Sequence, residues 1–160
     1  MKILKFSLFM LLIVLPVVLI LVGQLGLLSG NRPTDLGLKD GLLKAPIKDY
    51  WNVISSHADK QAHTDYHVIA PIKYSGSGKD AFAKLETIVR AMDGATIVTK
   101  QDNYLYAEFQ TKVLKFIDDV EFVLDEPASV IHMRSASRLG RKDLGANRNR
   151  LEAIRSKFNA

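Results

Sequence analysis

The stretch "KFIDDVEFVLDEPASVIHMRSASRLG", residues 115–140, carries its acidic residues in the first half and its arginines in the second. Two runs of alternating apolar and polar residues flank an acidic turn that contains proline, a pattern typical of a β-hairpin. A turn centred on Glu126-Pro127 predicts that Phe122 faces Ile131 on the side of the core. The spacing therefore predicts two antiparallel strands that share one apolar face.

The same spacing places charged residues opposite one another on the second face of the hairpin. Glu121 faces His132 there, and Asp119 faces Arg134. Such complementary cross-strand pairs contribute roughly 0.2–1 kcal/mol each to the stability of a sheet. Most of the charge pattern therefore favours structural pairs over an active site.

Asp118 does not fit this pattern, because it falls on the apolar face opposite Ser135. A carboxylate on a core face is costly unless it is paired or hydrogen-bonded. The expected partner is Arg138 or Arg141, the start of the last helix, or the Ser135 hydroxyl. A buried ion pair would fix the last helix on the sheet, and a functional carboxylate in a cleft is the alternative. The residues around this position form the candidate ligand site: Asp118, Arg134, Ser135, Ser137, Arg138, Arg141 and Asn147.

Outward from the hairpin, the sequence predicts an α+β domain with a mainly antiparallel sheet of about five strands and two packed helices. Apolar residues at helical spacing lie between a serine cap and a glycine stop. The predicted order of elements is strand, helix, four strands, helix. These elements are a strand at 65–71, a helix between Ser77 and Gly94, strands at 95–100, 104–110, 113–125 and 129–137, and a helix from about Asp143 to Phe158 that buries Asn147, Leu151 and Ile154.

Residues 6–28 are predicted to form a transmembrane anchor. The run from Phe6 to Val22 contains nothing more polar than serine, and the whole segment reaches the ~20 residues that a bilayer crossing requires. Lys2 and Lys5 precede it, so the positive-inside rule places residues 1–5 in the cytoplasm and the domain outside. In a Gram-negative bacterium, that location is the periplasmic side of the inner membrane. A cleaved signal peptide is the rival interpretation, although its apolar core would be shorter.

Residues 29–62, rich in proline, glycine and lysine, are predicted to be an extended linker that wraps the domain at 63–160. Trp51, the single tryptophan, is the expected anchor of this linker. The chain has no cysteine, which excludes disulfides, thiolate nucleophiles and cysteine-ligated metals. No cofactor is expected.

The formal net charge of +5 is concentrated near the C-terminus, where residues 130–160 hold eight arginines or lysines and two acidic residues. Such a patch attracts an acidic partner, anionic lipid or nucleic acid, or it is simply a solvated helix face. Nucleic acid is not expected outside the cytoplasm.

Catalytic and metal-binding patterns are weak in this chain. His132 and Ser135 point to opposite faces of one strand, so they cannot form a local triad. His63 and His67, with His57 nearby, lack a clear third ligand, and no metal site is predicted. The segment "SGSGKD", residues 75–80, favours a helix cap over a phosphate loop. The segment "SRLGRKDLGANRNR", residues 137–150, is a plausible anion site, although an acidic residue within it is expected to cap the helix.

Residues 107–155, "AEFQTKVLKFIDDVEFVLDEPASVIHMRSASRLGRKDLGANRNRLEAIR", resemble the signature of the bacterial family called domain of unknown function 1499. The resemblance extends more weakly to residues 35–43, 51–56 and 67–71. It implies no established activity. Family members often carry two cysteines where this chain has Ala45 and Val53, so any disulfide that the resemblance implies is absent here.

These features together predict an outward-facing, membrane-anchored accessory or binding module, with an anionic small molecule or an envelope protein as its partner. An enzyme that acts on an anionic envelope metabolite, with Asp118 or Asp119 as base, is the first alternative. The second is an accessory subunit of a larger membrane complex that makes contact through Tyr104, Tyr106 or the basic last helix.

Overall fold

A computed structural model describes residues 7 and 9–160 of the chain. The strands are β1 (Val53–Ser55), β2 (Ile72–Lys73), β3 (Ala95–Lys100), β4 (Tyr104–Gln110), β5 (Ile117–Asp125) and β6 (Val130–Ser137). The helices are α1 (Leu15–Gln24), α2 (Gly78–Arg90) and α3 (Ala146–Asn159), with a π-helical turn at Met10–Val14 and 3₁₀ turns at Ala58–Lys60 and Asp65–His67. The strands form one antiparallel sheet in the order β1-β6-β5-β4-β3, and β2 pairs with β6 beside β1. The α+β class and the antiparallel sheet are therefore confirmed.

The first predicted strand is wrong. Residues 65–67 of the predicted strand form a 3₁₀ turn, because the backbone N–H of Thr64 donates to Nδ1 of His67 at 3.0 Å and caps it. Strand β2 begins only at Ile72. A further strand, β1, lies inside the predicted linker, so the sheet has six strands instead of about five.

The hairpin has the predicted faces but a register that differs by two residues. Glu121 lies opposite Arg134 instead of His132, and Asp119 lies opposite Ala136 instead of Arg134. Both predicted charge pairs are therefore wrong, although each residue keeps its face because side chains alternate with a period of two.

The longer loop between β5 and β6 explains the shift. Asp125 pairs with Val130, which leaves a loop of residues 126–129 in place of a two-residue turn. Oδ1 of Asp125 accepts from the backbone N–H of Ala128 at 3.1 Å, and Ser129 adopts a left-handed φ of 52°. The side chain that fixes this loop is thus an aspartate at the end of β5.

Helices α2 and α3 cover one face of the sheet and enclose the apolar core. Ser77 caps α2 by accepting from the backbone N–H of Asp80 at 3.3 Å, as the capping interpretation of residues 75–80 predicts. Phe122, which is fully buried, lies at the centre of β5. The core consists of Ile54, Ile69, Ile72, Ala81, Phe82, Leu85, Val89, Leu105, Ala107, Phe109, Val120, Phe122, Leu124, Ile131, Met133, Leu151, Ile154 and Phe158.

Residues 31–50, called the wrap below, cover the opposite face of the sheet. The backbone N–H of Gly37 donates to Glu121 at 2.7 Å, and the backbone oxygen of Lys44 accepts from Arg134 at 3.0 Å. Trp51 follows the wrap and is 43% exposed, but its backbone N–H donates to the oxygen of Arg141 at 2.6 Å. The charged face of the hairpin is therefore buried.

The predicted anchor at 6–28 coincides with continuous helical backbone from Met10 to Gln24, and Phe6 and Leu8 lie outside the described residues. Within residues 7 and 9–160, no helix has both the length and the apolar character needed to cross a membrane.

Helix α1 contacts the sheet domain only near its C-terminal end. Gly23 lies against the backbone of Leu114, so closely that a Cβ added to Gly23 would be 2.6 Å from the oxygen of Leu114. Nε2 of Gln24 donates to the backbone oxygen of Val113 at 2.7 Å. A glycine at position 23 therefore allows α1 to approach the loop between β4 and β5.

Candidate functional site

Asp118, the inward carboxylate, is paired with an arginine of α3. Nη2 of Arg150 donates to Oδ2 of Asp118 at 2.5 Å. Nη1 of Arg150 donates to Oγ of Ser135 at 3.0 Å and to Oδ1 of Asn147 at 2.8 Å. Nδ2 of Asn147 donates in turn to Oγ of Ser137 at 2.9 Å. This set, the helix-side network, joins α3 to β5 and β6 through a buried charge pair.

Glu121 and Arg134 form the first charge pair on the wrap-covered face. The Glu121 carboxylate accepts from Nη1 of Arg134 at 3.1 Å, from the hydroxyl of Tyr104 at 2.9 Å and from the backbone N–H of Gly37. Nε of Arg134 donates to the backbone oxygen of Lys44 at 3.0 Å. The pair therefore holds the middle of the wrap, at Gly37 and Lys44, on the sheet.

Asp119 and Arg138 form the second pair on this face. Nη2 of Arg138 donates to Oδ1 of Asp119 at 2.7 Å and also to the carboxylate of Glu108. The hydroxyl of Tyr106 donates to Asp119 at 2.5 Å, and Nε of Arg32 donates to Glu108 at 2.6 Å. Together with Glu121, Arg134 and Tyr104, these residues form the wrap-side network.

Burial and hydrogen bonding act in opposite directions on the pKa values in this network. Burial lowers the pKa of Arg138, but hydrogen bonds to Asp119 and Glu108 raise it above the ordinary value. Burial disfavours ionised Glu108, yet hydrogen bonds from Arg32 and Arg138 hold its pKa below the ordinary value. Burial and the hydrogen bond to Asp119 raise the pKa of Tyr106. Arg138, Glu108 and Tyr106 therefore keep fixed protonation states at neutral pH.

The structure divides the predicted ligand site between the two faces of the sheet. The members that meet in the helix-side network are Asp118, Ser135, Ser137 and Asn147. Arg134 and Arg138 lie in the wrap-side network. Arg141 belongs to neither, because it is exposed before α3 with its guanidinium 5.2 Å from the ring centre of Tyr50.

Arg150 is the central residue that the sequence pattern did not identify. It follows Asn147 by three positions, so the two side chains share one side of α3. The guanidinium also lies 4.9 Å from the ring centre of Phe109, which places it against the core. This partly buried arginine was the missing partner of Asp118.

Most of the C-terminal basic patch is directed into the domain. Arg148 donates to the backbone oxygens of Tyr66 and Val68 at 2.6 and 3.0 Å. Arg155 contacts the backbone oxygen of Ala70. The basic last helix therefore uses its arginines for internal contacts, and the hydroxyls of Tyr104 and Tyr106 are bound to buried carboxylates as well.

A second polar cluster lies at the far end of the wrap-covered face, beside an open cleft of ≈ 530 Å³. Nδ1 of His57 accepts from the backbone N–H of Leu43 at 3.0 Å. Oγ of Ser56 accepts from the backbone N–H of Met133 at 2.9 Å and is hydrogen-bonded to Nδ1 of His132 at 3.0 Å. Because Nδ1 of His57 accepts a backbone hydrogen bond, the neutral imidazole of His57 carries its proton on Nε2.

The two imidazoles stack with ring centres 3.8 Å apart. Burial, followed by the nearby charge of His132, lowers the pKa of His57 to about 4. Burial also lowers the pKa of His132, although Asp125, with Oδ2 at 3.6 Å from Nε2, opposes this effect. Ser56, His132 and Asp125 follow one another as in a hydrolytic triad, but Asp125 is too far from Nε2 of His132 for a hydrogen bond and Ser56 is buried away from any substrate.

The other histidines hold backbone segments. Nε2 of His67 hydrogen-bonds the backbone oxygen of Tyr50 at 2.8 Å, and Nδ1 of His63 hydrogen-bonds that of Gln61 at 2.7 Å. In the part of the chain that the structure describes, no group of three or more histidine, aspartate or glutamate side chains is arranged to hold a metal ion.

Residues 46–158 match the family described as "Protein of unknown function (DUF1499)". This chain belongs to the DUF1499 family. The family region covers all six strands and α2, and it begins after α1 and most of the wrap. No curated protein and no solved structure matches the chain. Ala45 and Val53 are the positions where the resemblance implied cysteines. Both line one cleft between the wrap and the sheet, beside Arg134 and Arg138.

Proposed function

We propose that this DUF1499 protein is a membrane-anchored binding module without catalytic activity. Residues 6–28 are the anchor, and the sheet domain lies on the periplasmic side of a bacterial inner membrane. The exposed apolar surface of the N-terminal helix is the observation that supports the proposal most. Phe6 and Leu8, both part of the proposed anchor, lie outside the described residues.

The helical backbone between Met10 and Gln24 exposes apolar side chains on all sides. Leu11 is 59% exposed and Leu21 is 58% exposed. Burying one such side chain is worth roughly 1.5–3 kcal/mol, and soluble monomers rarely expose a contiguous surface of this kind. Insertion of the helix into lipid would remove this surface from water. The lysines before it favour an outward-facing domain.

The absence of catalysis is supported by the state of the two carboxylates that would act as base. Asp118 is 5% exposed and bound to Arg150. Asp119 is 2% exposed and accepts hydrogen bonds from Arg138 and Tyr106. A general base must be able to reach a substrate proton, which such buried, fully paired carboxylates do not allow.

The binding role is supported by the cations that remain exposed. The arginines of α3 point inward, whereas Lys112, Arg141 and Lys142 are exposed in two loops. We propose that these loops bind an anionic ligand. Within the basic C-terminal region, the residues that bind the ligand would then be Arg141 and Lys142, which precede α3.

Membrane fractionation of the full chain, with one epitope tag at each terminus, tests the anchor. We expect both tags in one band that stays with membranes after alkaline carbonate washing. Leu15→Arg combined with Leu19→Arg should release the protein, because each arginine at the centre of a span costs ~2.5–3.5 kcal/mol. Leu38→Arg is the matched control, since Leu38 is 43% exposed and Leu19 is 44% exposed.

Release of the wild-type chain by carbonate would overturn the proposed anchor. Loss of the N-terminal tag from the mature protein would also overturn it, in favour of a cleaved signal peptide. The tags separate these two outcomes.

A further inference from the structure

The sheet has two ends with different chemistry. Strand β4 runs antiparallel to β5, so residues 111–116 and 138–145 lie at one end, called the anchor end below. The loops 101–103 and 126–129 lie at the opposite end, called the far end below. The C-terminal part of α1 contacts the anchor end through Val113 and Leu114.

The contact between α1 and the domain continues beyond the helix. Oγ of Ser29 donates to the backbone oxygen of Lys115 at 3.2 Å. Gly30 packs closely against the side chains of Arg138 and Leu139. A Cβ added to Gly30 would be only 2.8 Å from Cβ of Arg138. The chain therefore enters the domain at the anchor end without a free linker, so a membrane that holds α1 lies next to this end.

Large apolar side chains are exposed at the anchor end. Leu144 is 99% exposed, and its backbone has a left-handed conformation with a φ of 55°. Val113 is 51% exposed, Leu139 is 41% exposed and Phe116 is 36% exposed. Phe116, Leu139 and Leu144 line a shallow cleft of ≈ 390 Å³.

Charge separates the two ends in the same sense. Lys112, Arg141 and Lys142 are exposed at the anchor end and Lys115 is half-buried there, and these four basic residues outnumber the two acidic ones at the same end, Asp93 and Asp143. The cleft at the far end is lined by Asp102, Asp125 and Glu126 against Lys60. A domain with this polarity is attracted to an anionic surface with the anchor end first.

We propose that the anchor end of this domain docks on the headgroup layer of an anionic phospholipid bilayer, with Leu139 and Leu144 inserted between headgroups. Lys112, Lys115, Arg141 and Lys142 contact the lipid phosphates. The anionic ligand of the proposed function is thus the membrane surface itself, and this inference depends on the anchor proposed above. The domain is held against the bilayer by its anchor end and presents its far end and His57 cleft outward.

The absence of cysteine allows a direct test with single-cysteine variants of the full chain. Leu144→Cys, Asp102→Cys and Leu19→Cys are each labelled with a nitroxide and reconstituted in vesicles of phosphatidylcholine and phosphatidylglycerol in equal parts. Collision with oxygen reports lipid exposure, and collision with a soluble nickel chelate reports water exposure. We expect the label at 144 to be at the headgroup depth, the label at 102 to be in water and the label at 19 to be deep in the bilayer.

The label positions separate failure of the docking from failure of the anchor. A label at 19 in the bilayer combined with a label at 144 as water-exposed as that at 102 overturns the docking and leaves the anchor intact. A water-exposed label at 19 overturns the anchor and the docking together. A label at 144 that is shielded from both reagents indicates a protein or a second copy as the occupant, and it also overturns docking on lipid.

Charge reversal tests the electrostatic part of the proposal. Lys112→Glu combined with Lys142→Glu should lower the docking equilibrium by at least about fivefold per basic residue removed, and the label at 144 should move toward water. Lys73→Glu and Lys84→Glu, in β2 and α2, form the matched control and should leave the label in place. Equal docking on vesicles of pure phosphatidylcholine would overturn the role of the basic residues.

Discussion

On the helix-covered face of β5, Val120, Phe122 and Leu124 pack among apolar side chains. On the wrap-covered face of the same strand, Asp119 and Glu121 are as deeply buried, yet arginines and tyrosines surround them. Helices can cover a sheet with apolar side chains, whereas the wrap is an irregular segment whose backbone groups need hydrogen-bond partners. The difference teaches that polar residues at every second position of a strand need not face water. They can also face a covering segment that supplies hydrogen-bond partners.

The largest effect is expected on the helix-covered face, where a single charge pair lies beside the core. Asp118→Ala leaves the partly buried Arg150 without its carboxylate and should lower the free energy of unfolding by about 3 kcal/mol. Thermal and urea unfolding of the variant measure this loss. Asp118→Ala combined with Arg150→Met should restore most of the stability, because no unpaired charge remains. A single variant that unfolds like the wild type would show that the pair does not hold α3.

A smaller and more local effect is expected on the wrap-covered face. Glu121→Gln keeps an oxygen acceptor for Gly37 but removes the charge that faces Arg134, at a cost of about 2–3 kcal/mol. The amide groups of the wrap should exchange their hydrogens faster, while those of Phe122 and Val120 stay protected. This result would show that the wrap opens while the sheet stays folded. Faster amide hydrogen exchange along the whole of β5 would contradict such local opening.

Glu86→Gln is the control for that variant. Glu86 pairs with Arg90 and Lys100 on the outer side of α2. Pairs at the surface are worth at most about 1 kcal/mol, so this change should leave exchange in the wrap unaltered.

The smallest effect is expected from the neutral histidine pair, which also lies on the wrap-covered face. The pKa of His57 is about 4 in the folded chain, below the ordinary value of 6.5, so the unfolded chain binds the proton first as the pH falls. The contribution of neutral His57 to the free energy of unfolding is fully present above pH 6.5 and is lost as the pH falls toward 4. Between pH 6.5 and 5, the loss should be about 1.5 kcal/mol. Chemical unfolding at a series of pH values measures it.

His57→Asn separates this titration from the other groups in the cleft. The asparagine oxygen can accept from the backbone N–H of Leu43, as Nδ1 of the histidine does. The pKa of His132 is also lowered by burial, so this residue too makes the folded protein less stable at acid pH, while Asp125 opposes the effect. The variant should therefore show a weaker dependence on pH. An unchanged slope would show that His57 is not the group that titrates.

The elements with clear periodicity were predictable from the sequence. Strands β3 and β4 have the predicted limits, and the buried positions of α2 and α3 follow from helical spacing. The faces of β5 and β6 were also predictable, because alternation depends on local pattern alone.

The register and the cover of the sheet were not predictable, because both depend on contacts distant in sequence. The loop at 126–129 is fixed by one side chain of β5, and no pattern in the strands records its length. Glu121 binds Gly37, which lies 84 positions away. Arg150 was missed for a similar reason, since arginine on a helix is usually solvated.

The two-residue difference between the expected and the actual hairpin loop has a consequence for how this sequence can change over time. Removing or adding a pair of residues between Asp125 and Val130 moves every partner along the ladder, but each carboxylate stays on its own side of the sheet. A shift of one residue puts paired side chains on opposite faces, so that one of the two strands would have to turn its charged side chains into the apolar core. Insertions and deletions at this hairpin should therefore survive in even numbers.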